Sequence, residues 1–351
     1  MDFFQAILLT AIQKLNGERS LFAIYHMLQG KKSSQTIQDA HLFGLTGLFG
    51  TQPSVTRDML ERTSLLFLKK EWIKHTRRPD IFVVTNEGTE KLENYLSVHP
   101  IPEGLDGWRY QASAALFWSR LNLLIQTVSH IVYSQPKFYP IQRDAKIQRF
   151  VKSFLHIHRQ DRENLGQDIF MELSKLLEQQ PALQRDIFVM KLTGYRQVGL
   201  TTEQIAEIKQ MDRWNIHYLF LASLHMMIRS LEEMKGEDVL LGSLLEQVQE
   251  EKESFLTQST KTTLKYLMAG RSIREIAEIR RLKTSTIEDH VVEIVLIDRT
   301  FPIAEYISPE LQDEIERVIK ATGSKQLKRI RGQLEKEVSF FQIRLVLAKV
   351  R

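Results

Sequence analysis

The string SIREIAEIRRLKTSTIEDHVVEIVL at 272–296 constrains this chain most, because it places two short helices around a basic turn. Ser272 and Glu275, three positions apart, make a capping box, so Ile273, Ile276 and Ala277 open an amphipathic helix that runs into the turn at 280–283. Ser285 and Glu288 offer a second box for the next helix. Ile276, Ala277, Leu282, Ile287 and Val291 are spaced to pack the helices on each other, and alanine is small where helices cross closely. In such a helix-turn-helix the first turn of the second helix meets a DNA groove. Here that turn carries Lys283, Thr284, Ser285, Thr286 and His290, with Arg271, Ser272, Arg280 and Arg281 beside it for phosphates. A hairpin buried in a core can use the same apolar spacing. The coincidence of two boxes with a basic turn favours nucleic acid.

Charge points the same way. The net charge of +5 lies entirely in residues 257–351, where 18 Lys and Arg face 13 Asp and Glu. The closing string SKQLKRIRGQLEKEVSFFQIRLVLAKVR holds eight basic residues against two acidic ones, which suits a polyanionic partner better than a small-molecule substrate. The 351 residues contain no cysteine, which excludes a disulfide framework and any cysteine-ligated zinc or iron–sulfur site. That composition suits a reducing compartment, so a cytoplasmic, nucleoid-associated protein is expected. The opening MDFFQAILLTAIQKL has Asp2 where a signal peptide needs positive charge. The apolar stretch 114–133 contains Arg120, Asn122 and Gln126, which makes it a core helix and not a membrane span.

The fold class that follows is mostly α and modular, in pieces at 1–97, 108–255 and 256–351 joined by a linker at 98–107. Helical patterns at 3–15, 21–29, 34–43 and 55–67 precede two short apolar strands, at 72–74 and 81–84, and then a helix capped by Thr85. Helices followed by such a ribbon are the order of a winged helix. Lys69, Lys70, Lys74, Arg77 and Arg78 gather there, where they meet phosphates or simply line a solvated hairpin. The middle piece is helical throughout, up to a charged run at 247–253. It repeats the C-terminal pattern at an offset of 71 residues: Ile276, Ala277, Leu282 and Ile287 fall on Ile205, Ala206, Met211 and Ile216, and Ser272 falls on Thr201. This copy, at 201–231, continues into Trp214, Tyr218, Leu219 and Phe220, too apolar for phosphates, so a degenerate, structural helix-turn-helix is expected.

Catalytic signatures are missing. QGKKSS at 29–34 lacks the upstream glycine of a phosphate loop, since Tyr25 stands there, and no GxSxG, HExxH or EF-hand string occurs. His156 and His158 point their rings to different sides of a helix and have no evident third ligand. The aromatics fall at core spacing, which argues against a single-strand stacking platform. A non-enzymatic chain with no metal and no cofactor is therefore expected.

TLKYLMAGRSIREIAEIRRLKTSTIEDHVVEIV, the segment at 302–311 and the closing LKRIRGQLEKEVSFFQIRLVLAKV resemble the helix-turn-helix domain at the C-terminus of some RecQ-type DNA helicases. MLQGKKSSQTIQDAHLFGLTGLFG, with the helix and ribbon after it, is similar to the winged-helix domain that follows the motor in those helicases. The whole chain resembles the YpbB family of Firmicutes, usually encoded beside a short RecQ-like helicase. The resemblance implies a detached DNA-binding module that contacts duplex or junction DNA and acts with such a helicase in repair and recombination, the ribbon at 69–78 seeking the junction. The motor and the cysteine-ligated zinc module of the helicases are absent from this sequence. A transcription regulator uses the same IAxxxxxL pattern, and an adaptor that binds only proteins is the third reading.

Overall fold

The computed structural model describes residues 1–158, 162–234, 239–245, 256–323, 325–335 and 337–350; the charged run at 247–253 lies outside them. Its packing divides into two compact units, Met1–Leu9 with Glu90–Lys252 and Thr10–Thr89 with Glu253–Arg351. Most of the expected N-terminal piece, residues 10–89, therefore shares one unit with the expected C-terminal piece. Sequence distance hid this, because the packing that joins them is between helices more than two hundred residues apart.

α5 (Asn86–Val98) begins in the second unit and continues in the first, which also holds α6 (Gly107–Val132), α7 (Ala145–Ile157), α8 (Arg162–Glu178), α9 (Ala182–Lys191), α10 (Thr202–Lys209) and α11 (Arg213–Glu233), with a 3-10 turn at Leu240–Leu245. Asp106 caps α6 by accepting the Arg109 amide at 3.1 Å. The α6 core face (Tyr110, Phe117, Leu121, Leu124) packs with Ile169 of α8 and Met227 and Ile228 of α11. Arg120 is buried there, donating to the Leu244 carbonyl at 2.7 Å and lying 3.9 Å above the Phe150 ring. The stretch at 98–107 is a packed connection and not a free linker. Pro102 is buried, the Asp106 amide donates to His225 Nδ1 at 3.0 Å, and Gly104, at φ +61°, lies so close to Met226 that a Cβ would stand 2.4 Å from Cγ.

In the second unit, α2 (Leu21–Leu28), α3 (Ser34–Leu42) and α4 (Arg57–Lys69) precede β1 (Ile73–His75) and β2 (Phe82–Val84), the order expected for the ribbon. The strands are antiparallel, with Ile73 opposite Val84, Lys74 opposite Val83 and His75 opposite Phe82. Thr85 accepts the Gly88 amide at 3.0 Å as the start of α5 requires, and Gly88 must be glycine because a Cβ there would lie 2.1 Å from the Trp72 carbonyl oxygen.

The C-terminal part of this unit contributes α12 (Gln258–Met268), α13 (Ile273–Arg280), α14 (Thr284–Ile297), α15 (Pro309–Thr322), α16 (Leu327–Arg331) and α17 (Phe340–Lys349). α14 is its axis, packed by α12, α13, α17 and α3. Ile287, Val291, Val292, Ile294 and Val295 are buried on all its sides, as a helix with no polar face must be. Glu293, fully buried among them, accepts from the Ser34 hydroxyl at 3.0 Å, the Thr257 amide at 2.5 Å and the Thr260 hydroxyl at 2.8 Å. Arg344 of α17 ties Asp289 of α14 and reaches Gln38 of α3.

Glu293→Ala strands the buried Thr260 hydroxyl, at about 1–3 kcal/mol, and takes the acceptor from the half-buried Ser34 hydroxyl and Thr257 amide, so it is expected to cost about 2–4 kcal/mol. Ser34→Ala should cost about 1 kcal/mol and lose that effect in the Glu293→Ala background. Urea unfolding of the four proteins measures both.

Candidate nucleic-acid interface

The helix-turn-helix forms as its caps dictate. Ser272 Oγ accepts the Glu275 amide at 3.3 Å while Glu275 Oε2 accepts the Ser272 amide at 2.8 Å. Hydrogen bonds from the Ser272 amide, and then from its hydroxyl, hold the Glu275 carboxyl below its ordinary value. α13 ends on Arg281 in the left-handed region, φ 52° and ψ 43°, and the Leu282 amide closes the turn on the Ala277 carbonyl at 2.9 Å. Ile276, Ala277 and Ile287 form the buried seam, with Leu282 against it.

The internal copy has the same construction. Thr201 and Gln204 make the box, Gln210 stands at φ 51° and ψ 43°, and the Met211 amide donates to the Ala206 carbonyl at 2.9 Å. Its aromatic residues are structural, as expected. Tyr218 is fully buried against Phe3 at 5.4 Å, Trp214 packs on Phe4 at 5.6 Å, and Phe220 meets Trp118 edge-on at 4.9 Å.

The two copies part at the second helix. Asp212 caps α11, its carboxylate taking the Trp214 amide at 2.6 Å and the Asn215 amide at 3.3 Å. The corresponding residue, 71 positions on, is Lys283, which caps α14 with no side-chain hydrogen bond. The position that holds an anion in one copy thus holds a cation in the other, beside first-turn amides that no side chain of the cap covers.

The predicted contacts divide accordingly. Lys283, Thr284, Ser285 and Arg281 are exposed around that helix start, and Thr286 is half-buried. Arg271 is exposed and paired with Glu275 at 3.3 Å, and Ser272 is committed to the capping box. Arg280 turns inward, donating to the Ser259 carbonyl at 2.8 Å, the Ser259 hydroxyl at 2.9 Å and the Thr263 hydroxyl, so it braces α13 on α12 and is not set for phosphate. The expected Ser285–Glu288 box does not form, because α14 already begins at Thr284.

His290 is not a groove contact. It is buried, with Nδ1 2.8 Å from the Thr263 hydroxyl. Since Arg280 donates to that hydroxyl oxygen, its hydrogen is left to donate to His290. Burial, and then the Arg280 charge, push the imidazole down to about 4. Sequence reading missed exposed Arg274 in the first turn of α13, although its place beside Ser272 was visible. On the ribbon, Lys69, Lys70, Lys74, Arg77 and Arg78 are all exposed, and Lys70 lies 4.7 Å above the Trp72 ring.

Residues 259–347 match the family described as a helix-turn-helix domain. The chain is 37% identical to Protein YpbB of Bacillus subtilis strain 168 over 349 residues, which cover 99% of this chain and 98% of that protein. The chain belongs to the YpbB family. No solved structure matches it significantly. In this YpbB family member the C-terminal helix-turn-helix domain points to DNA as a partner. No helix among the described residues is long and apolar enough to cross a membrane, and no cluster of metal-ligating residues occurs among them.

The buried histidine makes stability pH-dependent. Unfolded, it protonates near 6.5, but the folded unit refuses the proton until about 4. Its contribution is therefore whole above pH 6.5 and is lost as pH falls toward 4, by about 2–3 kcal/mol across the window. The urea midpoint should fall between pH 7 and 5, and fall less in His290→Gln; parallel pH profiles would contradict the buried neutral ring.

Proposed function

We propose that this chain is a non-catalytic DNA-binding protein whose main contact is the open start of α14, and that it acts as a detached accessory module for a RecQ-like helicase. The observation that carries the reading is the exchange of Asp212 for Lys283 between two otherwise matching copies. A helix start with free amides and a flanking cation attracts phosphate, and Arg281, Lys283, Thr284 and Ser285 surround it.

The burial of α14 bears on the choice between an accessory module and a regulator. A helix that reads operator sequence lies in the major groove and sets its N-terminal residues on base edges. Beyond Thr286 every residue of α14 is buried or half-buried, and the half-buried Glu288 and Asp289 carry negative charge. This supports end-on phosphate contact with little sequence preference. The cationic ribbon at 69–78 adds a second contact in the same unit. The missing phosphate loop supports the non-enzymatic reading, with no ATPase and no unwinding by the chain alone.

Lys283→Asp supplies the missing cap and removes the cation, so it should raise stability by about 1 kcal/mol while weakening duplex binding tenfold or more. Alanine at Arg271, Arg281 and Lys283 should weaken binding and flatten its log–log salt dependence by about 0.9 for each phosphate no longer neutralised. Unchanged affinity in these folded variants would remove the C-terminal interface.

The helicase partnership is tested by adding the chain to a RecQ-like helicase that lacks its own C-terminal domains. The enzyme's affinity for forked DNA should rise through tethering, and charge reversal at Lys74, Arg77 and Arg78 should abolish the gain. Selection of one duplex from a random pool, with no effect on the helicase, would favour the regulator instead.

A further inference from the structure

The polar residues that interrupt the core helix α6 do more than mark it as soluble. Asn122, Gln126, Ser129 and His130 recur at helical spacing along one face, and each is bonded to the backbone of a loop. Asn122 Oδ1 accepts the Thr193 amide at 2.9 Å, and Ser129 Oγ accepts the Tyr195 amide at 2.9 Å. Gln126, itself buried, donates to the Tyr139 carbonyl at 3.1 Å and accepts the Ile141 amide at 2.8 Å. His130 Nδ1 donates to the Gln135 carbonyl at 2.8 Å. Two loops, at 134–144 and 192–201, are thereby pinned to one helix.

What the pinned loops hold outward is aromatic. Tyr133, 61% exposed, is stacked on Tyr195 with ring centres 4.6 Å apart, and His130 meets Tyr195 edge-on at 5.3 Å and stacks on Phe138 at 4.5 Å. Tyr139 is 96% exposed. Tyr195 and Arg196 form the tip of a turn closed by reciprocal hydrogen bonds between Gly194 and Gln197. Arg196 at φ +57° and Ser134 at φ +54° are both in the left-handed region without being glycine, a strain that persists only where surroundings impose it and that clusters at binding sites. The charge is of one sign. No Asp or Glu occurs at 130–143 or 192–202, whereas Lys137, Arg143 and Arg196 do, and the Arg196 guanidinium lies 5.2 Å from the Tyr195 ring centre. The expectation that the aromatics serve only as core fails for this cluster.

We propose that this platform in the first unit binds unpaired bases of single-stranded nucleic acid, with Tyr133 and Tyr139 offering ring faces, the half-buried Tyr195 backing Tyr133, and Lys137 and Arg196 meeting the backbone. Every base has a stackable face and every nucleotide an anion, so exposed rings with interleaved cations and no carboxylates match this ligand in both respects. The site lies apart in sequence from the helix-turn-helix at 272–296 and does not depend on the reading given to it.

The test is binding of the full-length chain to a labelled oligothymidine and, separately, to a blunt duplex. Tyr133→Ala with Tyr195→Ala should weaken oligothymidine binding about tenfold or more while duplex affinity and thermal melting stay near native. Phenylalanine at both positions should restore binding, because the ring and not the hydroxyl stacks. Arg196→Ala should lower the log–log salt slope for oligothymidine by about 0.7. Alanine at Arg281 and Lys283 should leave oligothymidine binding intact, which separates failure of this site from failure of the C-terminal interface. Unchanged oligothymidine affinity in the folded double alanine variant would overturn the proposal, as would loss of helicase association alone, which would assign the rings to a protein partner.

Discussion

The second unit depends on the burial of α14 beyond its first turn. Val291, Val292, Ile294, Val295 and Leu296, interrupted only by the buried Glu293, leave the second half of this helix no side to show to water, so it must be surrounded. α12, α13 and α17 close three sides and α3, from the other end of the chain, closes the fourth. Glu293 makes that closure specific, because its two oxygens take donors from α3 and from the start of α12 at once. A buried carboxylate tolerates few alternative packings, since any shift of α3 takes the Ser34 donor from it.

This constraint shapes what the domain offers to DNA. With the sides of α14 occupied, only its first turn remains, and chemistry concentrates at Arg281, Lys283, Thr284 and Ser285. The internal copy shows how little sequence change separates a scaffold from an interface. Both copies use a box, a left-handed turn residue and a buried isoleucine–alanine seam, and both brace the end of the first helix: Lys209 on Asp186 at 2.9 Å, Arg280 on Ser259 and Thr263. One carries a carboxylate at the next cap and is sealed; the other carries an ammonium and is open.

Local chemistry made most of the fold legible. Capping boxes, apolar periodicity and the ribbon place helix and strand limits within a few residues, and the 71-residue offset exposes the internal copy down to its turn geometry. What was not legible was long-range. Ser34 and Glu293 are 259 positions apart, and no local pattern says that an N-terminal helix closes on a C-terminal one. His290 was misplaced for that reason: read as part of a free recognition helix it is a surface base, but with α12 against it, it becomes a buried acceptor. Ser285 lost its box because the cap of α14 is Lys283, two residues earlier. In α6 the polar residues were noticed and their work was not, since a glutamine that pins a loop reads like one that merely interrupts an apolar run.

The most direct measurement of the central claim is an amide chemical-shift titration of the labelled full-length chain with forked DNA. End-on docking at the open helix start predicts that the largest shifts fall on the amides of Arg281, Lys283, Thr284 and Ser285, while those of His290 and Glu293 stay fixed, being shut inside the unit. Shifts running along α14 through His290 and Glu293, or none at its start, would contradict the account.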